Sequence, residues 1–447
     1  MVLLICVSLS AYGIIAFLRP DWGVYGILAL LPVYQVRFNV FGYPSTALEW
    51  MIILSAAGMG IRLLLGEPSY RKRVRIIFHD SPWLLVWIGL FILSGIVSVA
   101  VSPETLKALG IFKAYFAEGL LFWLVAYLAL DSPKKQLYSF YALFILLLGL
   151  SFFGLYQFLT LYHLPPAWWG PGTEPRRVVS LYSYPNAVAL LIAPILTILS
   201  GLIIFRKHLA AGRSKGFLFF TLFCGTALLG LTFSRGGWLG FCIGLLLLGW
   251  LSRYRKMMIA VVLVIISTLL IVPASRDRII PAFVGNDPAG QERLKLYRVA
   301  VDVLKEEPVL GAGLMGFREW YGAFKPGLKD DILNYPHNIF LNFWLESGLF
   351  GLLAILGMLV WIVNRSKKMI GWGQGYGQFT VIILAALTSL VVHGLVDAPF
   401  FKNDLAILFW YLLSLFPAAS ASKIGQSELE RETQKTAAVG TSANGPS

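Results

Sequence analysis

The chain has 447 residues, 57% of them hydrophobic and only 13% charged, with a formal net charge of +14. So little charge excludes a soluble globular domain, and apolar stretches of the ~20 residues needed to cross a bilayer recur along most of the length. The positive excess suits a membrane surface or an anionic substrate, and its scatter over short loops argues against nucleic acid as a partner.

In chain order, the apolar runs predict spans over 2–18, 23–38, 46–65, 82–101, 108–130, 137–161, 183–205, 216–233, 236–252, 256–273, 337–363, 378–396 and 403–419. The first run follows Met1 without a basic leader, so no cleavable signal peptide is expected. The first two runs are short and split by Arg19-Pro20-Asp21, which gives an all-α polytopic integral membrane protein of 12 or 13 transmembrane helices. The transmembrane region covers 1–420 and includes one long loop, 274–336; the Ser-, Thr-, Ala- and Gly-rich segment 421–447 reads as a disordered tail. Cys6, Cys224 and Cys242 lie in or beside apolar segments without metal-ligand spacing and read as small core residues.

Basic residues set the orientation. RKRVR (71–75), PKK (133–135), RKHLAAGRSK (206–215), RYRK (253–256) and NRSKK (364–368) fall on alternate sides of successive spans. One face, with the C-terminal tail, is therefore cytoplasmic. The opposite, outer face then holds 162–182, the tight turn Ser234-Arg235-Gly236-Gly237 and 274–336, and His337 enters the membrane from the same side.

Each polar group on that face has two readings. Arg176 and Arg177 lie outside, against the positive-inside tendency, either as solvated loop residues or as anion ligands. Pro185 and Asn186 after them mark a helix start. Arg235 sits between two apolar runs, either as an interfacial anchor or facing a ligand that the two glycines allow to approach. Leu294, Tyr297, Val301 and Leu304 recur at helical spacing and predict an amphipathic helix along the membrane surface. Arg293 opens that helix, where it opposes the macrodipole. Pro308 ends it, and Gly311 and Gly313 turn the chain. Pro336 suits a first helical turn, which puts His337 at the positive end of the dipole; a neutral imidazole there can serve as a general base. The bland reading is an interfacial histidine, but the arginines on the same face favour chemistry.

Other site chemistries lack their motifs: Asp-x-Asp, His-Glu-x-x-His, Gly-x-Ser-x-Gly and a phosphate-binding P-loop are missing, so neither metal ligands nor a cofactor site is expected. Glu49, Glu118 and Asp397 near outer ends of spans could each balance an arginine, and His393 and Asp397, spaced i, i+4, could pair locally.

Four segments, RRVVSLYSYPNAVAL, TFSRGGWLG, QERLKLYRVAVDVLKEEPVLGAGLMGF and PHNIFLNFWLESGLFGLL, come in the order found in one family. The chain resembles the O-antigen ligase and O-antigen polymerase (Wzy-C type) superfamily of membrane glycan-transfer enzymes, from about the third span onward. In that family's loop a glycine stands near Ser180-Leu181, where this chain reads VVSLYSYPN. The resemblance implies a glycosyltransferase of the bacterial inner membrane, acting at the outer, periplasmic face in lipopolysaccharide or polysaccharide synthesis. The donor would be a glycan on undecaprenyl diphosphate, the acceptor a hydroxyl of a glycan, lipid or protein, and no metal or cofactor would take part. It implies His337 as general base, and Arg176 or Arg177, Arg235 and Arg293 as ligands of the diphosphate. Arginine's planar fork suits that charge. A small-solute or anion transporter of the same fold is the alternative, and would show inverted repeats and midplane ionisable groups.

Overall fold

The computed structural model describes residues 2–40, 42–170, 174–205, 215–284, 287–324, 335–373 and 375–442. A backbone in hydrocarbon can satisfy its N–H and C=O groups only within itself, so the apolar runs become helices. They are α1 Val2–Leu18, α2 Pro20–Ala29, α3 Ala47–Leu64, α4 Pro68–Asp80, α5 Pro82–Ala100, α6 Thr105–Ile111, α7 Glu118–Ala129, α8 Pro133–Thr160 and α9 Pro185–Ile204. There follow α10 Lys215–Leu231, α11 Arg235–Trp250, α12 Arg255–Ile271, α13 Pro273–Phe283, α14 Pro288–Glu306, α15 Gly316–Phe324, α16 Ile339–Ile370, α17 Tyr376–Gly394 and α18 Asn403–Ser442. A π-helical stretch, Phe112–Ala117, joins α6 to α7.

Eight units among the described residues are long and apolar enough to cross a membrane: α3, α5, Thr105–Ala129, α8, α9, α16, α17 and Asn403–Ile424 of α18. Three shorter apolar helices, Leu3–Leu18, Lys215–Leu231 and Arg235–Trp250, accompany them, with a pair, Arg255–Ile271 and Pro273–Ala282, bent by 99°. This is an all-α polytopic membrane protein. At its centre stand α9 and the first half of α18, whose side chains are almost all buried in protein; α1 and α12 lie outside and turn Leu3, Leu4, Leu263, Val264 and Ile271 outward.

One predicted span is not formed. Over 23–38, α2 stops at Ala29, a 3-10 turn covers Leu31–Gln35, and the chain enters an antiparallel ribbon, β1 Arg37–Val40 with β2 Tyr43–Thr46. Pro32 has no N–H for a helix to use, and the β-branched and aromatic residues after it favour extended backbone. At the other terminus, α18 continues to Ser442, past the 420 boundary at which the sequence suggests a disordered tail; Glu, Gln, Lys, Arg and Ala in that stretch are good helix formers. Residues 443–447 lie outside the described ones.

The two ends of the bundle differ. At one, Arg365 bonds Asp80 and Ser420, Arg73 donates to the Tyr127 carbonyl (2.6 Å), and Ser422 donates to the Asp131 carbonyl (2.8 Å). The basic segments 71–75, 133–135 and 364–368 thus share that end; nearly all of 206–215 lies outside the described residues. The arginines and histidine singled out above belong to the opposite end.

There α14 is an amphipathic helix, as the helical spacing predicts. Leu296, Val299, Ala300, Val303 and Leu304 pack against Phe317, Tyr321 and Leu345. Leu294 and Val301 face outward. Two apolar stripes compete on this helix, and the wider one is buried. A break in α16 anchors the arrangement. At Gly348 φ is 68°, outside the helical range, and the freed groups are taken by the strap 307–316. Ala312 N–H donates to Leu345 O (2.8 Å), Leu349 N–H donates to Val309 O (2.8 Å), and Met315 N–H donates to Glu346 Oε2 (2.7 Å). Gly311 and Gly313, at φ 68° and 74°, let the strap pass this close to α16 and α5.

Gly348→Val adds a branched side chain at positive φ, with its Cβ 2.6 Å from the Val309 carbonyl. The expected loss is about 2–4 kcal/mol of stability, seen as a lower melting temperature in detergent. Gly60→Ala, in open space on α3, serves as the control and leaves the melting temperature equal or slightly raised.

Candidate active site

His337 does not lie inside a helix. Asn338 caps α16, its side-chain oxygen accepting from Phe340 N–H (3.1 Å) and Leu341 N–H (3.2 Å). His337 is therefore one residue before the cap, at φ 54°, and not among the first-turn amides as Pro336 suggests. Asparagine is the stronger signal for a helix start here. The imidazole is held instead by a carboxylate: Nδ1 lies 3.0 Å from Asp397 Oδ1, with side chains 26% and 3% exposed. Burial works to raise the Asp397 carboxyl, but the His337 contact, the nearby His393 and the Ala398 amide draw it below the usual carboxylate range. An ionised carboxylate only accepts, so Nδ1 carries the hydrogen, and in the neutral form of the ring Nε2 is the nitrogen with the lone pair. Asp397 thus serves His337 rather than an arginine or His393. His393 packs its ring against Gly236, where a Cβ would lie 2.7 Å from Nε2.

Tyr297 closes the site from above. Its hydroxyl is 3.2 Å from both the His337 and the Leu395 carbonyls. Arg293 stands one turn earlier on the same face of α14. It is the sixth residue of α14, not the first; Asp287 caps the helix and Pro288 opens it. Arg293 makes no hydrogen bond or ion pair with another described residue, and its charge reaches Asp287, Tyr297 and His393.

Three further arginines converge here. Arg235, the first residue of α11, donates to Asp287 Oδ2 (2.6 Å) and to the Arg278 carbonyl (2.9 Å). Arg177 donates from Nε to Thr232 O (2.9 Å) and from Nη2 to Asn186 Oδ1 (3.1 Å), and lies over the Trp168 ring. Its burial, helped by the charges of Arg278 and Arg235, pushes it down to about 9, still cationic at neutral pH. Arg278 is the member that sequence reasoning missed. Val272 before Pro273 is restricted to extended backbone (φ −73°, ψ 114°), so α13 folds sharply across the end of α12 and brings Arg278 beside Arg235. The cue was present in the Val272-Pro273 pair. Asp287, also missed, was legible as an Asp-Pro cap signature.

Arg176 is not part of the cluster. It donates to the Phe158 carbonyl and covers the Phe158 ring, fastening the loop to α8. The register in which Arg177 is the inward residue has a backbone cause. Ser180 adopts φ 48°, the conformation for which glycine is favoured, and is fixed by Ser180 Oγ to Leu150 O (2.9 Å) and Gln157 Nε2 to Ser180 O (2.9 Å).

Residues 218–356 match the sequence model of the O-Antigen ligase family. That segment is similar to an O-antigen ligase domain. The match supports the O-antigen ligase and polymerase superfamily, membrane proteins of glycan transfer in polysaccharide and lipopolysaccharide synthesis, as what this chain is similar to. The matched segment of the ligase domain holds Arg235, Arg278, Arg293 and His337; Arg177 and Asp397 come to the same site from outside it. No curated protein matches the chain.

The Asp397 contact has a signed pH dependence. Its carboxyl is depressed below the ordinary value of 3.8, so the stability it contributes is fully present above that value and lost as pH falls below it. Melting temperatures measured from pH 7 to pH 3 should show a steeper acid fall for the native protein than for Asp397→Asn, and parallel curves would contradict the pairing.

Proposed function

We propose that the protein transfers a glycan from a polyprenyl diphosphate, undecaprenyl diphosphate in a bacterial inner membrane, to the hydroxyl of an outward-facing acceptor. The observation that carries this reading is the pairing of His337 with Asp397 next to arginines that leave Arg293 uncommitted. The acceptor O–H gives its proton to His337 Nε2. The oxygen forms a bond to the anomeric carbon, and the bond from that carbon to the diphosphate oxygen breaks with its electron pair on the leaving group. Arg177, Arg235, Arg278 and Arg293 provide fixed positive charge where the diphosphate becomes more negative, in place of a divalent ion. Asp397 orients the imidazole and stabilises the imidazolium formed. By the positive-inside tendency the basic end of the bundle is cytoplasmic, along with the C-terminus, and the site faces the periplasm. Ligase and polymerase share this chemistry; the acceptor, a lipid core glycan, a second repeat unit or a protein side chain, distinguishes them.

A reconstituted assay with undecaprenyl-diphosphate glycan, a panel of acceptors and EDTA tests the reading. Native protein should form product. His337→Ala should lower the turnover by about 10²–10⁴-fold, and Arg235→Ala by about 10²–10³-fold, with the donor left intact. Product at native rates from His337→Ala removes the base. Flux of a solute across liposomes without donor consumption would make the protein a transporter.

A further inference from the structure

The arginine cluster already holds an anion, and that anion belongs to the protein. Arg235 spends both terminal nitrogens of its guanidinium inside the chain: Nη1 donates to the Arg278 carbonyl (2.9 Å) and Nη2 to Asp287 Oδ2 (2.6 Å). A phosphate gripped by the planar fork takes those same hydrogens. The carbonyl is a neutral acceptor, but Asp287 is a carboxylate. Burial works to raise its carboxyl, yet the Arg235 contact, the Gly290 amide and the charge of Arg293 hold it below the ordinary value. A diphosphate brought to Arg235 therefore meets a negative charge standing where one of its own oxygens belongs.

The geometry lets Asp287 go. Only Oδ2 is engaged among the described residues, and that one atom also accepts from Gly290 N–H (2.8 Å) as the cap of α14. The cap is a bond within the first turn of α14 and does not need Arg235. The ion pair is open to water, its side chains 22% and 17% exposed, and pairs that water reaches are weak. The chemistry gives such a competitor a use. When the bond from the anomeric carbon breaks, its oxygen becomes a free terminal oxygen of the diphosphate, so the product is more negative than the donor. Arginines alone would hold the product more tightly than the substrate; a carboxylate that returns to Arg235 opposes this.

We propose that Asp287 is a resident competitor of the lipid diphosphate: it occupies the anion place on Arg235 while the site is empty, yields it when the donor binds and retakes it as the product leaves. The identity of the anion rests on the transferase reading above. A merely structural ion pair predicts the opposite sign, because losing it would loosen α14 and weaken binding. Asn and Ser both keep a helix cap, so Asp287→Asn and Asp287→Ser remove the charge and leave the cap. Equilibrium binding of undecaprenyl diphosphate to the purified protein in detergent provides the test. Both variants should bind about three- to fivefold more tightly than native protein, even with a slightly lower melting temperature; a misfolded variant would not gain affinity. Arg235→Ala should bind more weakly, and adding Asp287→Asn to it should bring little further gain. In the transfer assay the donor KM of Asp287→Asn should fall in proportion. Unchanged or weaker binding by both Asp287 variants, with native binding that depends on Arg235, overturns the competitor and leaves the transferase reading standing. An equal gain in the Arg235→Ala background overturns displacement from Arg235. Binding by none of the forms overturns both readings.

Discussion

The ion pair between Arg235 and Asp287 holds the arginine-bearing end of this protein together. Asp287 is at once the cap of α14 and the partner of the first residue of α11, so a single carboxylate joins the turn after Thr232 to the helix above it. Through α14 the same contact positions Arg293 and Tyr297, and Tyr297 reaches the His337 carbonyl. Below, the strap 307–316 locks into the break of α16 at Gly348, which fixes the other end of α14. A helix lying across a bundle has little hydrocarbon to hold it, and these two anchors do so with polar contacts.

Arginines close together repel one another, and the carboxylates of Asp287 and Glu174 only partly offset the four cations. Arg177 loses part of its affinity for a proton, mainly through burial and further through the neighbouring Arg278 and Arg235, and Arg293 remains unpaired among the described residues. An arrangement of this kind is poor structural design and good preparation for an anion. The histidine beside it is prepared differently. Its Nδ1 is committed to a buried aspartate and its φ is positive, so the ring is aimed by surrounding structure rather than by its own helix. The cationic half and the basic half of the site are thus built on separate principles, which suits a reaction needing charge at one atom and proton transfer at another.

Much of this was legible in the residues. Hydropathy gave the helices, because in lipid the backbone leaves few alternatives. Basic loops identified which segments share an end, and Arg177, Arg235, Arg293 and His337 stood out as polar groups at apolar thresholds. What escaped was contact between distant segments. Asp397 looks like a partner for His393 four residues away, but α17 ends at Gly394 and turns the aspartate to His337, 60 positions earlier. Arg278 looks like one of several charges in SRDR until the bend at Pro273 places it by Arg235. On α14 two stripes fit the same period, and the packing partners Phe317 and Leu345 decide which one is buried in protein.

The most direct test of the site is where a lipid diphosphate binds. A structure of the protein with undecaprenyl diphosphate should place the phosphate oxygens within hydrogen-bonding distance of Arg235 and Arg293, with the His337 imidazole on the side the acceptor must use. Diphosphate bound at the basic end near Arg73 and Arg365, or anywhere that leaves Arg235 on Asp287 and Arg293 uncontacted, would contradict it.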